Sequence, residues 1–282
     1  MRKFPADKTV RDLQDLRYQE WLHAAQSWVF GESELAPQVG PYLILVHSSQ
    51  GNPEKHLLPR LANVKIRGEF VQGHGSAYGE YKGTGIWLLH HPMGSSSAQF
   101  WMECLSNTRV RAMICLGEMT SYPDDVRVGD IVLVTSAIRG DLVTNYHAPQ
   151  DMPACCDPDL LEHMQRHLNT TDWPIHVGPV YSGMPGGIGV DNPILKEKVW
   201  RHLQAGMLGN AMETSVVYLE AARLGIRITD AWSVSDDIAY GYWNDSPDGW
   251  KRWEKAWDLI AWAALETLAD ISREEQDDEF AK

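Results

Sequence analysis

Apolar residues recur along this chain in two periods. From Val10 to Phe30 they fall at Leu13, Leu16, Tyr18, Trp21, Leu22, Ala25 and Trp28, a spacing that predicts a helix. The stretch 31–40, with Pro37 inside it, reads as a loop. Beyond it, short apolar runs alternate with helical patterns. Strands are predicted at 42–46, 86–89, 112–116, 131–138, 175–181 and 226–234. Helices are predicted at 95–105, 159–168, 193–203 and 212–224, the last stopped by Gly225. A final helix over 248–271 spaces Trp250, Trp253, Trp257 and Ile260 three, four and three residues apart, with Asp248 as its cap. The plain reading of that stripe is packing, in the core or between subunits. The alternation predicts an α/β fold: one domain with a mixed central sheet and helices on both faces. It spans 41–273, preceded by a helical extension (1–40) too short for its own core and followed by a polar tail (274–282) expected to fray.

Composition narrows the function more than the fold. With 282 residues, 12 Trp and 10 Tyr, the chain can bury a sizeable core, which excludes global disorder. A net charge of −13 excludes nucleic-acid backbones and anionic membrane surfaces as partners. No apolar run reaches the ~18 residues of a membrane span, and no apolar segment follows Arg2 and Lys3 as in a secretory signal. Cys104, Cys115, Cys155 and Cys156 show no Cys-x-x-Cys spacing, so the expected compartment is the reducing cytoplasm. His163 and His167 lie one helical turn apart without a third ligand, which reads as a solvated helix face and not as a metal site.

Chemistry concentrates where apolar runs end. Val46 runs into His47-Ser48-Ser49-Gln50-Gly51, Leu89 into His90-His91-Pro92-Met93-Gly94-Ser95-Ser96-Ser97, and Leu116 into Gly117-Glu118-Met119-Thr120. Sites in α/β sheets form at such strand ends, and a serine-rich helix start offers backbone N–H groups to an anion or simply caps the helix. His90 and His91 read equally as packing or as groups that orient a 5′-substituent or water. Asn210-Ala211-Met212-Glu213 opens an apolar helix, and Trp232-Ser233-Val234-Ser235-Asp236 delivers a carboxyl to a strand end. Arg139 and Asp141 read as subunit-contact residues.

In order and spacing these pieces, with Gly79-Glu80-Tyr81-Lys82-Gly83 and Val128-Gly129-Asp130-Ile131-Val132, resemble the nucleoside phosphorylase/nucleosidase superfamily over roughly 42–271. The resemblance implies that fold and N-glycosidic cleavage through an oxocarbenium-like state. It implies that Met212 and Glu213 bind the sugar, Glu213 holding the 2′- and 3′-hydroxyls. Asp236 acts as acid toward N7 of a purine, with Ser235, Tyr181 and Ser182 on the base side. Met93, Ser95, Ser96, His91 and an Arg67 shared across a subunit contact lie on the anion or water side. A homo-oligomer is implied, and no metal or organic cofactor.

The departures bear on the acceptor. Where the phosphorylases place an arginine two residues before the glycine of the fourth-strand loop, and a serine just after it, this chain has Cys115 and Glu118. The first loop, Gly-Asp-Pro-x-Arg in that family, is Ser49-Gln50-Gly51-Asn52-Pro53 here. Glu118 in a phosphate pocket is repulsive, which favours water as acceptor with Glu118 as its base. The expected function is hydrolysis of a purine-type nucleoside or nucleotide. The alternatives are phosphorolysis, with phosphate as co-substrate, and a nucleoside-binding protein without catalysis.

Overall fold

In the structure, a computed structural model, residues 10–47, 53–67, 75–183, 193–238, 242–243 and 247–280 are described. Helix α1 (Val10–Phe30) leads through a 3₁₀ turn into β1 (Tyr42–His47) and the short α2 (Pro53–His56). Next come β2 (Ala62–Ile66), β3 (Gly75–Tyr81), β4 (Thr84–His91), α3 (Ser95–Cys104), β5 (Ala112–Ser121) and β6 (Ile131–Arg139). Then follow β7 (Ala154–Cys155), α4 (Pro158–Leu168), β8 (Ile175–Ser182), α5 (Pro193–Gln204) and β9 (Gly209–Asn210). The chain closes with α6 (Thr214–Leu224), β10 (Arg227–Asp237), β11 (Tyr242–Trp243) and α7 (Pro247–Phe280).

These strands form one mixed sheet in the order β11-β10-β6-β8-β9-β5-β1-β4-β3-β2, with β7 on β6. An extra β10–β5 pairing closes β5, β10, β6, β8 and β9 into a ring. The parallel core explains the continuous apolar runs: all six residues of β1 are buried, because both its faces are covered. Leu43 and Leu45 face the layer of α1, α3 and α6, while Tyr42, Ile44 and Val46 face α7.

Five strands escape the pattern of apolar residues: β2, β3 and the two-residue β7, β9 and β11. β2 is exposed throughout, and β3 reads Gly-Ser-Ala-Tyr-Gly-Glu-Tyr, too small and polar to stand out. The β3–β4 hairpin turns on Lys82 (φ 49°) and Gly83 (φ 83°), the two left-handed residues that a tight hairpin requires. The tail expected to fray is helical instead: α7 continues to Phe280. Glu275 accepts a hydrogen bond from the Tyr42 hydroxyl (2.8 Å) and pairs with Arg111. Trp253 and Trp257 are buried against the sheet, so these two of the stripe are core packing, while Trp250 is exposed. α1 is tied in as well: Val29 and Phe30 enter the main core, and the buried Gln26 amide donates to the carbonyls of Cys104 and Ser106 at the end of α3.

Candidate active site

The parallel strands β1, β4, β5 and β10 end together, and their carboxyl ends carry the candidate residues. After β4 the chain turns at Gly94 (φ 111°) into α3. The Gly94 N–H donates to the Glu213 carboxylate, and the Ser95 hydroxyl donates to the Met212 carbonyl at 2.8 Å. The starts of α3 and α6 are thereby tied together, which suits an acidic side chain at a helix N-terminus. Glu213 is 3% exposed. Burial pushes its carboxyl up to about 7, the Gly94 N–H pulls it down, and the nearby charge of Glu118 pushes it up again.

Asp236 reaches the site through a break in register between Val234 and Asp236 where β10 runs beside β5. The Thr120 hydroxyl donates to its Oδ2 at 2.6 Å and the Ser235 hydroxyl to its Oδ1 at 2.7 Å. Burial raises its pKa, and the two hydroxyls work in the opposite direction. Its neighbour Asp237 faces Arg127 at 3.6 Å. Glu118 lies half-buried two residues before Thr120 on β5, opposite Ser233.

Cys115 is fully buried and is the register partner of Asp230. Burial and the Asp230 carboxyl hold its thiol well above the usual range. Asp230 is itself fully buried, which lifts its carboxyl to about 8, while the neighbouring Thr214 and Cys115 side chains work against the rise.

The remaining candidates fall in three places. Ser182 is fully buried and accepts from the Ser215 N–H at 3.0 Å. Ser215 Oγ in turn donates to Asp141 at 2.5 Å, which places Asp141 under the start of α6 and not at the surface. Tyr181 packs against α5, with His202 stacked at 4.2 Å and the Lys198 ammonium 4.3 Å from its ring. Met93 and Ser96 are exposed at the α3 start. Arg67 is exposed just past β2, with β3 and β4 between it and β1, so a single chain does not bring it to Glu213 or Asp236. His91 is buried, its Nδ1 bonded to the Pro92 carbonyl at 2.6 Å. The first loop (48–52) and the glycine-rich stretch beyond Gly183 lie outside the described residues.

Ser215 and Asp230 do not stand out in sequence, and the contacts of Thr120, Gly94 and Asp141 are not legible there. Each acts through a partner distant in the chain, 116 residues for Thr120 and Asp236. Among the described residues no cluster of three or more His, Cys, Asp or Glu is placed to hold a metal ion, and no helix is long and apolar enough to cross a membrane. His167 bonds Asp270 at 2.8 Å.

The sequence profile of the phosphorylase superfamily matches residues 43–265. A purine nucleoside phosphorylase DeoD-type 2 of Vibrio cholerae is 30% identical over 195 residues, 68% of this chain and 79% of that protein. A guanosine phosphorylase of Halorubrum lacusprofundi is 26% identical over 197 residues, 68% of this chain and 78% of that protein. The crystal structure of a uridine phosphorylase from Vibrio fischeri superposes with a TM-score of 0.75 at 21% identity, covering 83% of this chain and 94% of that one. The chain belongs to the phosphorylase superfamily and is an enzyme.

Proposed function

We propose that this enzyme cleaves the N-glycosidic bond of a purine-type nucleoside or nucleotide and passes the sugar to water. Ionised Glu213 accepts hydrogen bonds from the 2′- and 3′-hydroxyls, with Met212 beside the sugar. Protonated Asp236, carried between Thr120 and Ser235, gives its proton to the departing base. Glu118 takes the proton of the attacking water. No metal or organic cofactor enters this scheme.

The observation that carries the choice of water is the buried pair Cys115–Asp230. An uncharged thiol beside a carboxyl stands at the position of the phosphate-binding arginine implied by the resemblance, with Glu118 three residues on. At an effective dielectric of ~20, two like charges 4 Å apart cost about 4 kcal/mol, and a phosphate dianion doubles the penalty.

The second reading is phosphorolysis, which the names of the similar proteins favour. It needs an anion site made from the start of α3 and from Arg67 of a second copy. The Gly94 N–H and the Ser95 hydroxyl are already engaged with Glu213 and Met212. A binding protein without turnover is the third reading, and the paired carboxyls Glu213 and Asp236 argue against it.

The test is incubation with a panel of nucleosides and nucleotides, with and without phosphate, reading free base and sugar product. Free sugar at a rate indifferent to phosphate is expected. A rate that rises saturably with phosphate and yields a sugar 1-phosphate overturns the choice of water. A tightly bound but unchanged nucleoside overturns catalysis.

A further inference from the structure

Four side chains form a row across neighbouring strand ends. Asp236 on β10 is the register partner of Thr120 on β5, Thr120 of Asn210 on β9, and Asn210 of Tyr181 on β8. Residues directly opposite one another in a sheet point to the same face, so the row shares one face, and Glu118, two residues before Thr120, lies on it too. The four are closed to a similar degree, between 3% and 7% exposed. At Thr120, β10 and β9 flank the two edges of β5. With strands ~4.8 Å apart, Asn210 stands about 10 Å from Asp236. A bicyclic base with one hydrogen bond of ~2.9 Å at either end fills such a span. From Asn210 the chain runs through Ala211 and Met212 to Glu213, a reach of up to ~10 Å. The Ala211 N–H, donating to the Tyr181 carbonyl at 3.0 Å, fixes that path.

Three members of the row have their polar groups engaged. The Thr120 hydroxyl donates to Asp236, which also accepts from Ser235, and the Lys198 ammonium donates to the Tyr181 hydroxyl. Asn210 is the exception: its side-chain oxygen is buried and has no hydrogen-bond partner. A valine would fill a buried strand position without stranding an acceptor. Buried polar atoms are rarely left unpaired, so a carboxamide here, on the face of Asp236 and three residues before Glu213, points to a ligand that completes it.

We propose that Asn210 reads the N1–C2–N3 edge of the base and selects 6-oxopurines over 6-aminopurines. The inference rests on the reading of the substrate as a purine with N7 toward Asp236, and it holds for water and for phosphate as acceptor alike. A purine set that way turns its N1–C2–N3 edge away from Asp236, toward Asn210. A 6-oxopurine carries a hydrogen on N1, which the Asn210 oxygen accepts. A 2-amino group adds a second donor beside the N3 lone pair, and the carboxamide, with one acceptor and two donors, matches both. A 6-aminopurine presents only lone pairs at N1 and N3. Turning the amide round lets its nitrogen donate to one of them and leaves the oxygen stranded. Sites built to hydrogen-bond a substrate group reject the analogue that lacks it.

Asn210→Leu keeps the shape of the side chain and removes its hydrogen-bonding groups. With guanosine, inosine and adenosine as substrates, kcat/KM for the two 6-oxopurine nucleosides is expected to fall about tenfold further than that for adenosine, the loss of one well-placed hydrogen bond. A packing role would lower all three alike, and such a uniform loss, or none, would overturn the role of Asn210 while leaving purine cleavage intact. Should Asn210→Leu fail to fold, calorimetry on the wild-type protein decides, since it needs no turnover. Hypoxanthine is expected to bind about tenfold or more tighter than adenine, and equal binding or a preference for adenine overturns the proposal. Cleavage of pyrimidine nucleosides with purine nucleosides left untouched would instead overturn the purine reading itself, and this inference with it.

Discussion

Glu213 and Asp236 are both buried carboxyls, and burial draws each toward its neutral form. Their tasks need opposite charge states. Glu213 must be ionised to accept two hydroxyls, so kcat/KM should rise as pH rises through about 7. Asp236 must hold its proton, so activity should fall as pH climbs through a pKa above the ordinary aspartate range. The expected profile is a bell, its acid limb set by Glu213 and its alkaline limb by Asp236. Asp236→Asn should lower kcat by about 10²- to 10⁴-fold and remove the alkaline limb. An Asn variant within a few-fold of wild type would show that the base leaves without help from this residue. For Glu213 the same shift sets stability. Burial lifts the folded carboxyl to about 7 from the ordinary 4.5 of an unfolded chain, so the native state binds more protons between them. Stability therefore falls as pH rises through that window. Glu213→Gln keeps an acceptor for the Gly94 N–H and removes the buried charge. It should abolish most activity, match wild-type stability at pH 4, and exceed it by up to about 3 kcal/mol at pH 8. Denaturant melts at the two pH values check this, and a variant less stable at pH 8 would refute it.

Within the elements, Asp130 in the Val128-Gly129-Asp130 motif shows a short pattern acting as structure. Its carboxylate accepts from the Arg127 N–H (2.9 Å), His176 (3.0 Å) and Arg252 on α7 (2.6 Å), and it is 2% exposed. It thus pins the start of β6 to β8 and α7. Asp130→Ala should cost about 1.5–3 kcal/mol in urea melts, since it removes a buried carboxylate that accepts three hydrogen bonds, while leaving KM for the nucleoside unchanged in the folded fraction. A change in KM with unaltered stability would instead move Asp130 into the site. The same distinction explains what the sequence discloses. β1 and β5 are covered on both faces and therefore print as unbroken apolar runs. β2, exposed throughout, has no apolar face to print. The end of α7 reads as a charged tail because the Glu275 contacts with Tyr42 and Arg111 come from distant segments. In the site, Glu213 and Asp236 stand in recognisable motifs, whereas Thr120 and Gly94 gain meaning only from partners that folding supplies.

At the scale of the whole molecule, α1 lies outside the matched superfamily segment yet covers α3, whose first turn engages Glu213. Its outer side leaves Trp21 43% and Trp28 56% exposed, each packed edge-on against Phe100 of α3 at 5.8 and 5.6 Å. The C-terminal tryptophans Trp253 and Trp257 are spent in the core, and the exposed tryptophans that lie side by side are those of α1. Adjacent exposed aromatics of this size mark contact surfaces, and a second copy of the chain is the occupant that suits Arg67. That residue sits at the far end of the sheet from β10, so a role for it in catalysis would require a pocket on another copy. A net charge of −13 makes two copies repel, so association must rest on apolar area and should strengthen with salt, which screens the repulsion over about 10 Å at 0.1 M. Light scattering at micromolar concentration should therefore show a dimer or larger, growing in population with salt, and Trp28→Glu should shift it toward monomer. If the pockets are shared, dilution below the dissociation point should lower specific activity, and Arg67→Ala should mimic that loss without dissociating the assembly. A monomer at full specific activity would remove both the aromatic face as a self-contact and Arg67 from the chemistry, leaving the site complete within one chain.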